Sequence, residues 1–133
     1  MAERLFSPEE VEALIPTLTG LVDQLREAQI VMQEARTRME EEDKRLTLVG
    51  GGMLDRDQRR RDRAELETAT QRAHEAIDGI QRTGGIAKDV RLGLVDFPHL
   101  RDGRIVNLCW KHGETRIRYW HGLDEGYAAR KPL

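Results

Sequence analysis

Leucine, methionine and alanine recur at alternating steps of four and three through the first two thirds of the chain, and no other feature limits its fold so sharply. Leu14, Leu18, Leu21, Leu25, Ala28, Met32, Ala35 and Met39 form one run, and Leu66, Ala69, Ala73, Ala76 and Ile80 form another. A period near 3.5 lines these side chains along one stripe of a helix, and such a stripe must be covered by a second one. The expectation is a long antiparallel helical hairpin over residues 7–83.

The ends of the two helices carry their own signals. Ser7 caps the first, Pro8 takes its first turn, Glu10 closes a capping box, and Phe6 can staple onto Val11. Pro16 lacks an amide hydrogen and crowds the preceding turn, so a kink or restart is expected near Ile15. Gly50-Gly51-Gly52 predicts a hairpin tip, Asp55 with Gln58 predicts a second cap, and Gly84-Gly85 predicts the stop. Folding the chain back near residue 50 brings the acidic run Glu40–Asp43 beside the basic run Arg59–Arg61. Opposed runs of this kind favour antiparallel pairing and dilute any field that would grip a phosphate. The triple glycine lacks the strand before it and the Gly-Lys-Ser/Thr entry after it that a phosphate loop requires.

At 133 residues, with 38% hydrophobic and 35% charged side chains, one domain with a modest core is expected. Two helices of about 28 residues would each run about 40 Å at about 1.5 Å per residue. The module that follows is too small to cover that length, so the leftover seam predicts a homodimer formed through the helices. Acids at the amino terminus replace the apolar run of a signal peptide, and no stretch approaches the roughly 18 apolar residues of a membrane span. A cytoplasmic protein with no membrane partner is the expectation. Cys109 is the single cysteine, so an internal disulfide is excluded.

Residues 86–133 read differently, as a small antiparallel β module. Arg104–Trp110 and Thr115–His121 are β-prone runs joined by Lys111-His112-Gly113-Glu114. Pairing Lys111 with Glu114 predicts Trp110 opposite Thr115, Leu108 opposite Ile117, Val106 opposite Tyr119 and Arg104 opposite His121. The reverse face would then carry Cys109, Asn107 and Ile105 opposite Arg116, Arg118 and Trp120. Leu92–Phe97 is a third run, ended by Pro98. The predicted class is α+β: a single domain over residues 1–133, with a helical hairpin and a carboxy-terminal sheet of two to three strands.

The strings GLVDFP at 93–98, RDGR at 101–104, LCW at 108–110 and YWH at 119–121, with Leu123-Asp124, Gly126, Arg130 and Pro132-Leu133, resemble a prokaryotic family catalogued as domain of unknown function 2203. The likeness spans nearly the whole chain. It agrees with the helical hairpin and supplies no activity, cofactor or partner.

Chemistry-bearing residues concentrate in the same module. Asp96, His99, Asp102, Glu114, His121 and Asp124 offer oxygen and imidazole donors for a divalent transition metal, with Asp96, His121 and Asp124 the expected ligands and Glu114 or His99 assisting. Their spacing follows no established ligand pattern, and Asp102-Gly103 reads equally as a turn. Cys109 with His121 or His112 would suit thiol catalysis, but the expected register turns Cys109 and His121 to opposite faces. Trp120, Arg116 and Arg118, with Trp110 and Arg104, make an aromatic and arginine surface suited to a protein or small-molecule partner. Residues 1–85 carry a net charge of about −5 and residues 86–133 about +3, too slight an asymmetry to predict a nucleic-acid partner. The expected function is a non-enzymatic binding module, with a metal centre at Asp96, His121 and Asp124 as the alternative.

Overall fold

In a computed structural model, which describes residues 4–50 and 55–133, the chain forms two helices followed by an antiparallel sheet of five strands. Helix α1 spans Pro8–Leu48 and α2 spans Arg56–Thr83. The strands are β1 Ile86–Asp89, β2 Leu94–Arg101, β3 Arg104–Lys111, β4 Tyr119–His121 and β5 Lys131–Pro132, arranged in sequence order. A 3-10 turn at Tyr127–Ala129 precedes β5. Residues 51–54, the rest of the expected glycine tip, lie outside the described residues.

The helix ends form as their residues dictate. The Glu10 backbone N–H donates to Ser7 Oγ at 3.1 Å, and the Ser7 N–H donates to Glu10 Oε1 at 3.1 Å, a closed capping box. The Gln58 N–H donates to Asp55 Oδ1 at 3.0 Å. Gly84 ends α2 at φ +101°, a conformation that side chains resist. Helix α1 continues unbroken through Pro16, so no restart occurs there. A proline inside a helix, through its lost hydrogen bond and its clash with the preceding turn together, costs about 3 kcal/mol, and burial of Val11, Leu18 and Val22 around it offsets that cost.

Two compact units divide the chain, and the division cuts across both helices: one comprises Met1–Asp23 with Ala76–Leu133, the other Gln24–Glu75. In the second unit α1 and α2 run antiparallel over a seam of small residues, with Leu25, Ala28, Ala35, Ala69 and Ala73 buried. Arg59 Nη2 reaches Asp43 Oδ1 at 2.6 Å, the pairing that the opposed charge runs predict. Asp62 is buried at 4% exposure and accepts from Arg38 Nε and Gln58 Nε2, each at 2.9 Å.

In the first unit one face of the sheet packs Val95, Phe97, Leu108, Trp110 and, in part, Trp120 against Phe6, Val11, Leu18, Val22 and Ile80. Phe6 meets Phe97 edge-on at 5.1 Å between ring centroids. Side chains alternate along a strand, yet positions 106–110 of β3 and 94–98 of β2 are buried without interruption. Both faces of the central strands are therefore covered.

The strand count and register depart from expectation. The tight hairpin forms at Asp102-Gly103, with φ +52° and +78°, and joins β2 to β3 in the register Asp96↔Cys109 and Leu100↔Ile105. Asp-Gly between alternating apolar residues is the strongest short hairpin signal, and it outweighs Gly113. The Lys111–Glu114 turn exists, but the chain leaves the sheet until Tyr119, so β4 pairs Asn107↔His121 and Leu108↔Trp120. That is a slip of three residues, and an odd slip exchanges the faces. Pro98 does not end β2. It lies beyond the reach of β1, where the Phe6 N–H donates to its carbonyl at 2.7 Å, so its missing N–H costs no ladder bond on that side.

Candidate functional site

The face of the sheet turned away from the hydrophobic core is polar and closed. Asp96 on β2, Cys109 on β3 and His121 on β4 are each at most 2% exposed. One potential donor atom from each lies within 4.8 Å of the others. His121 Nε2 stands 3.0 Å from Asp96 Oδ2, and His121 Nδ1 stands 2.8 Å from the Gly122 carbonyl oxygen. The other carboxylate oxygen, Asp96 Oδ1, is buried with no hydrogen-bond partner among the described residues.

The tail that follows β4 crosses this face and is tied down by Arg130. Its Nη2 donates to both carboxylate oxygens of Glu114, at 2.7 and 2.9 Å, and to the Cys109 carbonyl at 3.1 Å. The same guanidinium lies 4.2 Å from the Tyr119 ring centroid and 5.1 Å from that of Tyr127. Burial, with the Asp96 charge second, pushes the Cys109 thiol up to about 12. A thiol so placed stays protonated at neutral pH and is a poor nucleophile.

Of the six metal-ligand candidates, the structure joins Asp96 with His121 and adds Cys109, which the expected register had turned the other way. Asp124 sits in an exposed turn after β4 and Asp102 in the β2–β3 turn, neither of them in the cluster. His99 Nδ1 is occupied by the Phe6 carbonyl at 2.6 Å, while Glu114 accepts from the Lys111 N–H at 2.6 Å as well as from Arg130. Neither residue assists the cluster.

The aromatic and arginine residues separate in the same way. Trp110 is fully buried, its Nε1 donating to the Glu114 carbonyl at 3.0 Å, so it belongs to the core and presents no surface. Arg116 and Arg118 are exposed, with Arg116 Nε 3.8 Å from Glu12. Trp120 and Arg104, by contrast, line a groove of about 660 Å³ together with Arg101, Ile105 and Leu123. The Arg101 guanidinium carbon lies 4.9 Å and the Lys131 ammonium 4.8 Å from the Trp120 ring centroid. Lys131 is paired with Glu125 at 2.6 Å, which holds that carboxyl below its ordinary value. Arg101 and Arg104 have no carboxylate partner among the described residues. Arg101 escaped sequence reasoning because only the Asp-Gly hairpin brings it beside Trp120.

A family model described as an uncharacterized conserved protein (DUF2203) matches residues 4–133 of the chain. No curated protein and no solved structure matches it. No helix among the described residues is long and apolar enough to cross a membrane.

Proposed function

We propose, for a chain that belongs to the DUF2203 family, a non-enzymatic binding role in which the Trp120 groove receives a small organic anion with a flat or apolar part. The observation that carries this reading is the indole of Trp120 set among the guanidiniums of Arg101 and Arg104, which make no ion pair among the described residues. Of the two carboxylates on the same wall, Asp102 and Glu125, the second is taken up by Lys131. Cations beside the indole hold positive charge against an apolar ring, and unpaired guanidiniums offer bidentate donors to a carboxylate, sulfonate or phosphate. The volume lies within the roughly 300–1,000 Å³ of small-molecule sites. Ile105 and Leu123, 39% and 59% exposed, supply apolar walls.

The test uses the anionic dye anilinonaphthalene sulfonate with the whole chain. Dye emission should rise on binding and fall with added salt, and each of Arg101→Ala and Arg104→Ala should weaken binding about threefold, near the worth of one exposed ion pair. Binding that all three of Arg101→Ala, Arg104→Ala and Trp120→Ala leave unchanged removes the groove from consideration.

Homodimerisation through the helices belongs to the same proposal. Its support is the apolar surface left on α1 and just beyond it, where Ile30, Leu48 and Val49 are 58%, 85% and 60% exposed, beside a seam made largely of alanine. Sedimentation equilibrium decides it: a monomer at all accessible concentrations rejects the dimer and leaves the groove untouched.

A further inference from the structure

The hydrogen-bond arithmetic of the polar cluster does not close with the protein's own groups. A carbonyl oxygen only accepts, so the Nδ1 of His121 that faces the Gly122 carbonyl at 2.8 Å carries the ring proton. In neutral imidazole Nε2 is then a lone pair, and at 3.0 Å it faces Asp96 Oδ2, another lone pair. A cation must lie between them. A proton would satisfy these two atoms, yet it leaves Asp96 Oδ1 buried without a geometric hydrogen-bond partner beside the Cys109 sulfur that completes the cluster.

We propose that Asp96, Cys109 and His121 form a closed site for a divalent cation of the zinc class. One carboxylate oxygen, one thiolate and one imidazole nitrogen are the donors such an ion takes, and a thiolate disfavours magnesium and calcium, which prefer oxygen. The charges balance: a dication with carboxylate and thiolate is neutral, as a site whose ligands are at most 2% exposed requires. Loading transfers the thiol proton to solvent as the metal–sulfur bond forms. The Gly122 carbonyl acts as the outer partner that orients the imidazole. Ligand bonds of about 2.0–2.3 Å set donors roughly 3.3–3.8 Å apart, so the His121 Nε2–Asp96 Oδ2 pair, now at 3.0 Å, opens slightly while donors now as much as 4.8 Å apart draw in by about an ångström.

Three protein ligands leave the fourth tetrahedral position to a water, and burial of all three closes the site to substrate, so it serves structure. Its work is mechanical. Strand β4 has three residues and two register pairs to β3, too few to hold firmly. A cation shared by β2, β3 and β4 staples its end across the sheet. Trp120 and Gly122, which flank His121, both line the groove, so the staple also fixes that wall.

The whole chain, refolded from urea with cobalt(II) alone so that burial does not bar entry, provides the test. Thiolate-to-cobalt charge-transfer absorption with intense tetrahedral ligand-field bands is expected, and zinc should displace cobalt mole for mole. Cys109→Ser should lose the charge-transfer band and weaken cobalt binding by at least the roughly 10- to 100-fold that loss of an outer partner brings, whereas His99→Ala should behave as the native chain. A refolded native chain that develops no thiolate band overturns the site, as does a band that survives in Cys109→Ser. The native spectrum decides even where the variant fails to fold, and it is independent of whether the groove binds an anion.

Discussion

Asp96 and His121 belong to strands that are not neighbours in the sheet, yet Oδ2 of one lies 3.0 Å from Nε2 of the other. Their backbones stand two strand spacings apart, about 10 Å. On β3 Cys109 stands opposite Asp96 and Asn107 opposite His121, so the aspartate and the histidine meet on a diagonal across that strand. Three strands are thus joined through side chains as well as through the ladder.

Removal of either member of that pair leaves the other buried and uncompensated. In the presence of a chelator, Asp96→Ala and His121→Ala should each cost about 3–5 kcal/mol, and the double variant should cost well below their sum. Urea denaturation of the four proteins measures the cycle. Strictly additive losses would mean that the two side chains do not sense each other.

Acid should loosen the helical unit through Asp62. The hydrogen bond from Arg38, and after it that from Gln58, hold the Asp62 carboxyl below its ordinary value. A depressed folded value means that the unfolded chain takes up the proton first as pH falls. The stabilisation is therefore complete above the ordinary carboxylate range, near pH 4, and is lost as pH drops through the folded value. Asp62→Asn should have a lower urea midpoint at neutral pH and a flatter decline in acid; parallel pH curves would contradict this.

Gly84 and Gly103 both hold positive φ, at +101° and +78°, but their surroundings differ. A methyl at Gly103 meets nothing within 4 Å, so Gly103→Ala should cost only the backbone strain, about 1–2 kcal/mol. At Gly84 the methyl runs into the Phe6 ring, itself 2% exposed, and overpacking should add about 1–3 kcal/mol. Equal midpoints for the two variants in thermal denaturation would refute the difference.

The two tryptophans should be separable by ionic quenchers. Trp110 is shielded, while Trp120 is partly open beside Arg101 and Lys131. Iodide should quench a fraction of the emission that caesium does not, and Trp120→Phe should abolish that fraction. Equal quenching by both ions would show that no positive field surrounds the indole.

The helix caps, the seven-residue seam and the opposed charge runs could all be read from neighbours along the chain, and Ser7 with Glu10, Asp55 with Gln58, and Arg59 with Asp43 stand as those patterns require. The sheet was legible only in part. Asp102-Gly103 carried enough information to set β2 against β3, and with that turn chosen Asp96 falls opposite Cys109 by counting. The run from Gly113 to Arg118 held no comparable signal. It looks like a strand by composition, but Glu114 is drawn to Arg130 and the Ile117 N–H to Glu12, and these distant partners take it out of the ladder.

What the sequence determined by itself was therefore whatever arises between residues a turn or two apart: helices, their ends, and the α+β character. Only the tertiary structure decided which faces of β3 and β4 coincide, and hence that a carboxylate, a thiol and an imidazole share one closed chamber while Trp120 joins Arg101 at a groove. The reason is parity. Side chains alternate at every residue of a strand, so a loop longer or shorter by an odd number sends the same residues to the opposite side, and the length of that loop was set by contacts from remote parts of the chain.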